Sequence, residues 1–257
     1  MQEAINIRSK IENELHHAIT AEEFVVFYQP KINSGGKTIG YEALLRWQHP
    51  QKGLLGPNDF IDIAEDSGLI VDIGYWVIKT ACKQLQRWST DEEKKDLTIA
   101  VNINEQQISR SDFVEMVFQI IDSYQCPADH LELEITESLL MKNMNETVIK
   151  INQLKERGIT FAIDDFGTGY SSLNYLKQLP IDWLKIDRSF VEHMLEDSND
   201  EAIVKTVLAL AKTLGLTAVA EGVETEAQRD YLTELGCPIL QGYLFDKPKP
   251  VEELFKP

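Results

Sequence analysis

Eight short apolar runs punctuate the chain: Phe24–Gln29, Ile39–Trp47, Thr98–Ile103, Leu131–Ile135, Thr160–Asp164, Trp183–Asp187, Thr217–Glu221 and Ile239–Tyr243. Each is rich in β-branched or aromatic residues and bounded by polar or glycine-bearing segments, which is the pattern of a strand. From the second run onward, the intervals carry apolar residues at helical spacing. Pro57–Glu65 and Ile70–Trp88 follow the second run, Phe113–Tyr124 the third and Asn145–Arg157 the fourth. A shorter stretch near Leu173–Lys177 follows the fifth, Glu201–Leu214 the sixth and Glu226–Leu235 the seventh. Strands alternating with helices predict parallel β-α units. Eight such units in about 250 residues is the size of a closed β/α barrel.

The first interval breaks the pattern. Asn33-Ser34-Gly35-Gly36-Lys37 is a tight turn, far short of the dozen or more residues a parallel crossover needs. The first two strands are therefore expected to form an antiparallel hairpin. The predicted fold class is α/β: a TIM-like (β/α)8 barrel variant with the first strand antiparallel to the others. Ahead of it, Ile7, Ile11, Leu15 and Ile19 recur at helical spacing. Residues 1–22 are read as a lead-in helix, a linker from an upstream domain, and residues 23–257 as one barrel domain.

Composition narrows the function classes. The chain has 257 residues, 43% hydrophobic and 26% charged, an ordinary globular balance. No run approaches the roughly 18 apolar residues needed to span a bilayer, and Met-Gln-Glu-Ala-Ile is not a secretory leader. A cytoplasmic location without membrane insertion is expected. Cys82, Cys126 and Cys237 are scattered, without a Cys-x-x-Cys, and read as buried thiols rather than a zinc site. A net charge of −17 argues against any nucleic-acid polymer as partner, since backbone tracking needs clustered Lys and Arg. A small anionic substrate is admissible where metal ions reverse the local field.

The densest chemistry lies at Asp164-Asp165-Phe166-Gly167-Thr168-Gly169, where an apolar run breaks into a glycine-bearing loop. Alternation would send two adjacent carboxylates to opposite faces. They converge only if the backbone turns at the pair, which the following glycines ease. Alone, the pair reads equally as a solvated turn with a helix N-cap. Other strands nevertheless carry polar groups at or near their ends: Glu42 on the second, Asn102 on the third, Glu134 on the fourth, Lys185 on the sixth, Glu221 on the seventh and Gln241 on the eighth. The C-terminal mouth of a β/α barrel is where its active site is built. Five carboxylates gathered there would raise one another's pKa values unless cations sat among them. Oxygen ligands without His or Cys favour a hard ion such as Mg²⁺ or Mn²⁺. So many acids suggest a two-metal centre, with ions typically ~3.5–4 Å apart.

In these motifs the chain resembles the EAL-domain cyclic di-GMP phosphodiesterase family. Glu42-Ala43-Leu44 is followed by Leu45-Arg46-Trp47, and the run from Asp164 to Leu173 resembles the family's loop without a substitution. Tyr28-Gln29-Pro30, Lys185-Ile186-Asp187, Glu221-Gly222-Val223-Glu224 and Gln241-Gly242-Tyr243 stand around them in the expected order, from about Ile11 to Pro248. The resemblance implies Glu42, Asn102, Glu134 and Asp164 as ligands of one divalent ion, with Asp164, Asp165 and Glu221 around a second. It implies Lys185 as the residue that orients and polarises the attacking water and Gln241 as an amide positioning water. Arg46 is implied as a contact to substrate phosphate beside Leu44, and Glu137 as a brace for the loop after the fifth strand. Two Mg²⁺ or Mn²⁺ ions, hydrolysis of cyclic di-GMP to linear pGpG, a homodimer, and an upstream sensory or GGDEF domain follow as expectations. Asn104, Asp62 and Asp246 depart from the family pattern, and none is an implied ligand. The alternative left open is a catalytically silent EAL module acting as a cyclic di-GMP receptor or interaction platform.

Overall fold

The computed structural model describes residues 2–137, 139, 144–167 and 176–256. Eight strands close into a barrel: β1 (Phe24–Asn33), β2 (Thr38–His49), β4 (Thr98–Asn102), β5 (Leu131–Thr136), β6 (Thr160–Phe166), β7 (Trp183–Ile186), β8 (Thr217–Ala220) and β9 (Ile239–Gln241). Neighbours run β1-β9-β8-β7-β6-β5-β4-β2, and a further β1–β2 pairing completes the circle. β1 is antiparallel to both β2 and β9, while the other barrel pairings are parallel. The expected variant barrel is thus the observed one. Its hairpin turns where Gly36 takes a positive φ of 80°, open without penalty to a residue lacking Cβ.

Two short strands lie outside the barrel circuit. β3 (Gly53–Leu55) extends the β2 edge through Trp47↔Leu55, and β10 (Lys249–Pro250) pairs with β1 through Phe27↔Pro250. Neither was anticipated, because two or three residues cannot display a period.

Helices pack around the wall: α1 (Gln2–Thr20), α2 (Ile61–Ser67), α3 (Ile70–Trp88), α4 (Glu105–Ile108), α5 (Phe113–Tyr124), α6 (Met144–Lys155), α7 (Arg188–His193), α8 (Ser198–Leu214) and α9 (Glu226–Glu234). The stretch predicted near Leu173–Lys177 lies largely outside the described residues. Alternation along β5 shows how the wall works. Leu131, Leu133 and Ile135 join the apolar layer beneath the helices, whereas Glu132 and Glu134 pair with lysines inside the barrel. Burying each such leucine or isoleucine contributes about 1.5–3 kcal/mol. That layer is what makes a charged interior affordable in stability terms. A second, smaller cluster joins Leu15 and Ala18 of α1 to Phe24, Trp47 and Phe60, so the lead-in helix packs directly on the barrel.

The three departures from the family pattern have local partners. Asn104 caps α4 by accepting from the Gln106 N–H at 2.7 Å and also donates to Glu65 of α2. Asp62 lies in the first turn of α2, the end that favours an acid. Asp246 pairs with Lys249 at 2.7 Å.

Candidate active site

Each polar residue reaches the barrel mouth for a local reason. Glu42 sits on β2 opposite Gln29 of β1, and Asn102 ends β4 opposite Glu134 of β5. Lys185 is flanked by Leu184 and Ile186, whose side chains are buried in the wall, so alternation turns it inward. Glu221 lies one residue past β8, its N–H bonded to the Ile186 carbonyl at 3.2 Å. The paired aspartates converge through a register shift between Ile163 and Phe166, with Asp165 itself at φ 54°. The turn was expected to borrow its freedom from the following glycines. Gly167 does so with a φ of 101°, and Asp165 adds a left-handed backbone of its own, a conformation aspartate tolerates better than most residues.

Lys185 is the hub. Its ammonium, with the residue 1% exposed, lies 2.7 Å from Glu134 Oε2, 2.7 Å from Glu221 Oε1, 3.0 Å from Asp164 Oδ1 and 3.6 Å from Glu42 Oε2. Glu42 is held from both sides: Asn102 Nδ2 donates to Oε1 at 2.8 Å and Gln241 Nε2 to Oε2 at 2.6 Å. One ligand atom each from Asp164, Asp165 and Glu221 lies within 4.8 Å of the others. These three are suited to share a cation.

The electrostatics follow from five acids around one base. Burial disfavours the Lys185 ammonium, but Asp164, Glu134, Glu221 and Glu42 outweigh it and hold the group charged, well above its ordinary pKa. Burial also presses on Glu42, yet Lys185 and the Gln241 and Asn102 hydrogen bonds keep that carboxyl below its usual range. Glu134 moves the other way. Burial, joined by the Glu42 and Asp164 charges, lifts it well above the carboxylate range despite Lys185. Burial likewise pushes Glu221 up to about 8, with Asp164 and Glu42 adding to it, and Asp165 up to about 6, with Asp164 and Asp187 adding to it. The centre is over-acidic and takes up protons where it lacks cations.

Divalent ions fit this donor set. Every side chain offered is an oxygen or amide ligand, the chemistry of a hard cation. Among the described residues, Glu134 Oε1 and Gln241 Oε1 are buried without a hydrogen-bond partner, an arrangement that an ion or ordered water beside them would relieve.

A cavity of about 170 Å³ opens above the acids, lined by Gln29, Glu42, Asp164, Glu221, Gln241 and Tyr243 among others. Arg46 lies two positions beyond Leu44 on the same face of β2, half-buried, with its guanidinium over the Phe27 ring at 5.7 Å. Leu44 lines a separate, mainly apolar cleft of about 280 Å³, which it shares with Asn102 and Asn104. Glu137 is buried and accepts the Gly167 N–H on Oε2 at 3.2 Å. Most of the loop that follows lies outside the described residues.

Two neighbours of the site were not assigned from sequence. Gln29, part of a motif noted above, accepts from Gln241 Nε2 at 3.3 Å; its place opposite Glu42 in the predicted hairpin was the available signal. Arg188 lines the same cavity, and no periodicity could have found it on a six-residue helix.

An over-acidic centre at the C-terminal mouth of a β/α barrel defines the class: a barrel whose mouth carries a carboxylate cluster with the donor set of a hard-cation site. The EAL domain family matches residues 12–248, and the chain belongs to it. The chain is 46% identical over 243 residues to the bifunctional diguanylate cyclase/cyclic di-GMP phosphodiesterase MucR of Pseudomonas aeruginosa, covering 94% of this chain and 35% of that protein. It is 40% identical over 246 residues to the cyclic di-GMP phosphodiesterase NbdA of the same organism, covering 95% of this chain and 31% of that one. It thus spans about a third of the length of these relatives. Among solved structures, the PaMucR phosphodiesterase in complex with c-di-GMP aligns with a TM-score of 0.92 at 46% identity, over 95% of this chain and 99% of that one. The EAL enzyme Bd1971, in its cAMP- and cyclic-di-GMP-bound form, aligns at 0.91 and 38%, over 98% and 69%.

Proposed function

We propose that this domain is a metal-dependent phosphodiesterase that hydrolyses cyclic di-GMP to linear pGpG. The observation that carries the reading is the convergence of Glu42, Glu134, Asp164 and Glu221 on the Lys185 ammonium, with Asp165 beside them. The relatives named for this activity and the c-di-GMP complexes of similar domains support the substrate.

Glu42, Asn102, Glu134 and Asp164 would hold one ion, and Asp164, Asp165 and Glu221 a second, both Mg²⁺ or Mn²⁺. When bound, such a pair supplies positive charge that acidifies a water and neutralises developing charge on phosphoryl oxygens. The chain's own groups do the rest. Lys185, held protonated by its neighbours, is a hydrogen-bond donor and not a base, and it would orient the attacking water. Gln241 and Asn102 fix the Glu42 carboxylate in a single orientation. Arg46 would take a non-bridging phosphate oxygen, with Leu44 packing beside it. Glu137 would steady the loop after β6 through Gly167.

On the same reading, residues 23–257 are the EAL unit, and residues 1–22 lead in from an upstream sensory or GGDEF domain in the cytoplasm. No described helix is long and apolar enough to cross a membrane. A homodimer belongs to the proposal and is checked by sedimentation. The deciding experiment incubates the chain with cyclic di-GMP, with and without Mg²⁺ or Mn²⁺, and resolves the products. Metal-dependent pGpG supports the reading. Binding without cleavage would replace it with the silent receptor, and neither binding nor cleavage would remove cyclic di-GMP altogether.

A further inference from the structure

We propose that Arg188 is a substrate-positioning residue that binds the phosphate of the cyclic dinucleotide that is not being cleaved. The inference rests on the phosphodiesterase reading and adds a residue to it.

A cyclic dinucleotide carries two phosphate monoanions, and hydrolysis consumes one. The ions and Arg46 serve the reacting phosphate. On that reading the other lies towards the cavity whose wall includes Glu42, Asp164, Glu221 and Glu224, and Arg188 is the one basic residue among the described residues lining it. An unscreened phosphate among those acids would be repelled. A guanidinium is the group best matched to its oxygens, because it donates a planar fork.

Arg188 has little structural reason to be where it is. It opens α7, the helix end at which a cation is disfavoured. Its side chain is 55% exposed, and its ion-pair distances to Glu192 and Glu224 are both 3.7 Å, beyond hydrogen-bond length. Exposed pairs of that kind contribute little. The neighbouring backbone is nevertheless shaped for it. Gly222 takes a φ of +67°, and a Cβ there would fall 2.4 Å from Arg188 Cγ. The loop after β8 thus lies flat beneath the arginine stem, in the same segment that delivers Glu221. The guanidinium remains free to exchange its two loose glutamate partners for a phosphate.

The test compares wild type, Arg188→Gln and Arg188→Lys in steady-state cleavage of cyclic di-GMP. Binding is measured in parallel, with Ca²⁺ in place of the supporting metal to suppress turnover, for cyclic di-GMP and for cyclic di-AMP, which shares the phosphates but not the base. Loss of a charge-assisted contact to phosphate should raise KM and Kd about tenfold or more in Arg188→Gln. The kcat should change by less than about threefold and the metal-induced rise in Tm should be unaltered, because no ligand is touched. Arg188→Lys should recover part of the affinity through charge alone. Both dinucleotides should weaken by the same factor. An unchanged KM and Kd overturns the proposal, as does a loss confined to kcat. A loss confined to the guanine nucleotide overturns it too, by assigning Arg188 to the base. Wild-type protein that neither cleaves nor binds would instead refute the underlying phosphodiesterase reading.

Discussion

Replacing Lys185 with methionine should separate its charge balance inside the barrel from its proposed role in orienting the attacking water. Methionine is close in length and removes only the charge and its donors. In ion-free protein, four carboxylates lose an ammonium that lies 2.7–3.6 Å from each of them. Breaking a buried pair by deleting one partner costs about 3–5 kcal/mol. At about 2–4 °C per kcal/mol for a chain of this size, Tm should fall by roughly 6–20 °C. The loss should grow with pH, since protons are then the main remaining counter-charge and leave the carboxyls as pH rises. Saturating Mg²⁺ should restore most of the stability, because ions binding only the folded state stabilise it by mass action.

Turnover should not return with the fold. With metal present, Lys185→Met should still bind cyclic di-GMP and lose activity chiefly in kcat, as expected for an interaction made in the transition state. The assay is a thermal melt at pH 5, 7 and 9 with and without Mg²⁺, beside single-turnover cleavage and a binding isotherm. A Tm loss indifferent to both pH and metal would refute the electrostatic account. Unchanged single-turnover cleavage would remove Lys185 from catalysis.

Glu42→Ala should abolish pGpG formation while leaving Tm within a few degrees, because it strips an acid from an over-acidic cluster; near-normal turnover would contradict its assignment as a ligand. Asp164→Asn should bind less divalent metal by calorimetry and show a smaller metal-induced rise in Tm than wild type, and equal values in the two proteins would place the ions elsewhere. Ion-free wild type should lose stability as pH rises from about 5 to 8. Burial and neighbouring acids raise Asp165 from 3.8 to about 6 and Glu221 from 4.5 to about 8, so the folded state holds more protons than the unfolded state in that window. Each excess proton gives a slope of about 1.4 kcal/mol per pH unit. The lowered pKa of Glu42 acts oppositely, but chiefly below pH 4.5. Chemical denaturation at fixed pH steps checks the sign, and stability rising across the window would refute it.

The barrel was legible because its grammar is local. Asn33–Lys37 is too short for a crossover, which alone fixed the direction of β1, and the later strand-helix alternation left few other topologies. Glu42 was read from its place on the second strand, whereas Leu44 and Arg46 came from the family resemblance. What stayed hidden depends on features with no period. Asp165 adopts positive φ, and no spacing rule distinguishes it from Asp164. Lys185 was singled out by its place on the sixth strand, yet in a run apolar on both sides its neighbours do not announce which face is the interior. The Lys31–Glu132 pair at 2.8 Å, almost fully buried inside the barrel, was missed for the same reason. A lysine and a glutamate 101 positions apart look like two surface charges until the strands carrying them are laid across the barrel from each other.

An acidic protein handling an anionic substrate looks like a contradiction until charge is counted at the mouth instead of over the whole chain. Lys185, held charged by its neighbours, faces carboxyls whose pKa values burial and mutual repulsion push up, Glu134 and Glu221 foremost. Divalent cations entering the same space would displace protons from these carboxyls, making metal affinity rise with pH over the range in which Asp165 and Glu221 ionise. Lys185 would then lose some of its carboxylate partners to the ions and gain a donor position free for water. The crowding that destabilises the ion-free centre therefore supports the proposed chemistry twice. It would supply a cation site, and it keeps Lys185 protonated beside that site.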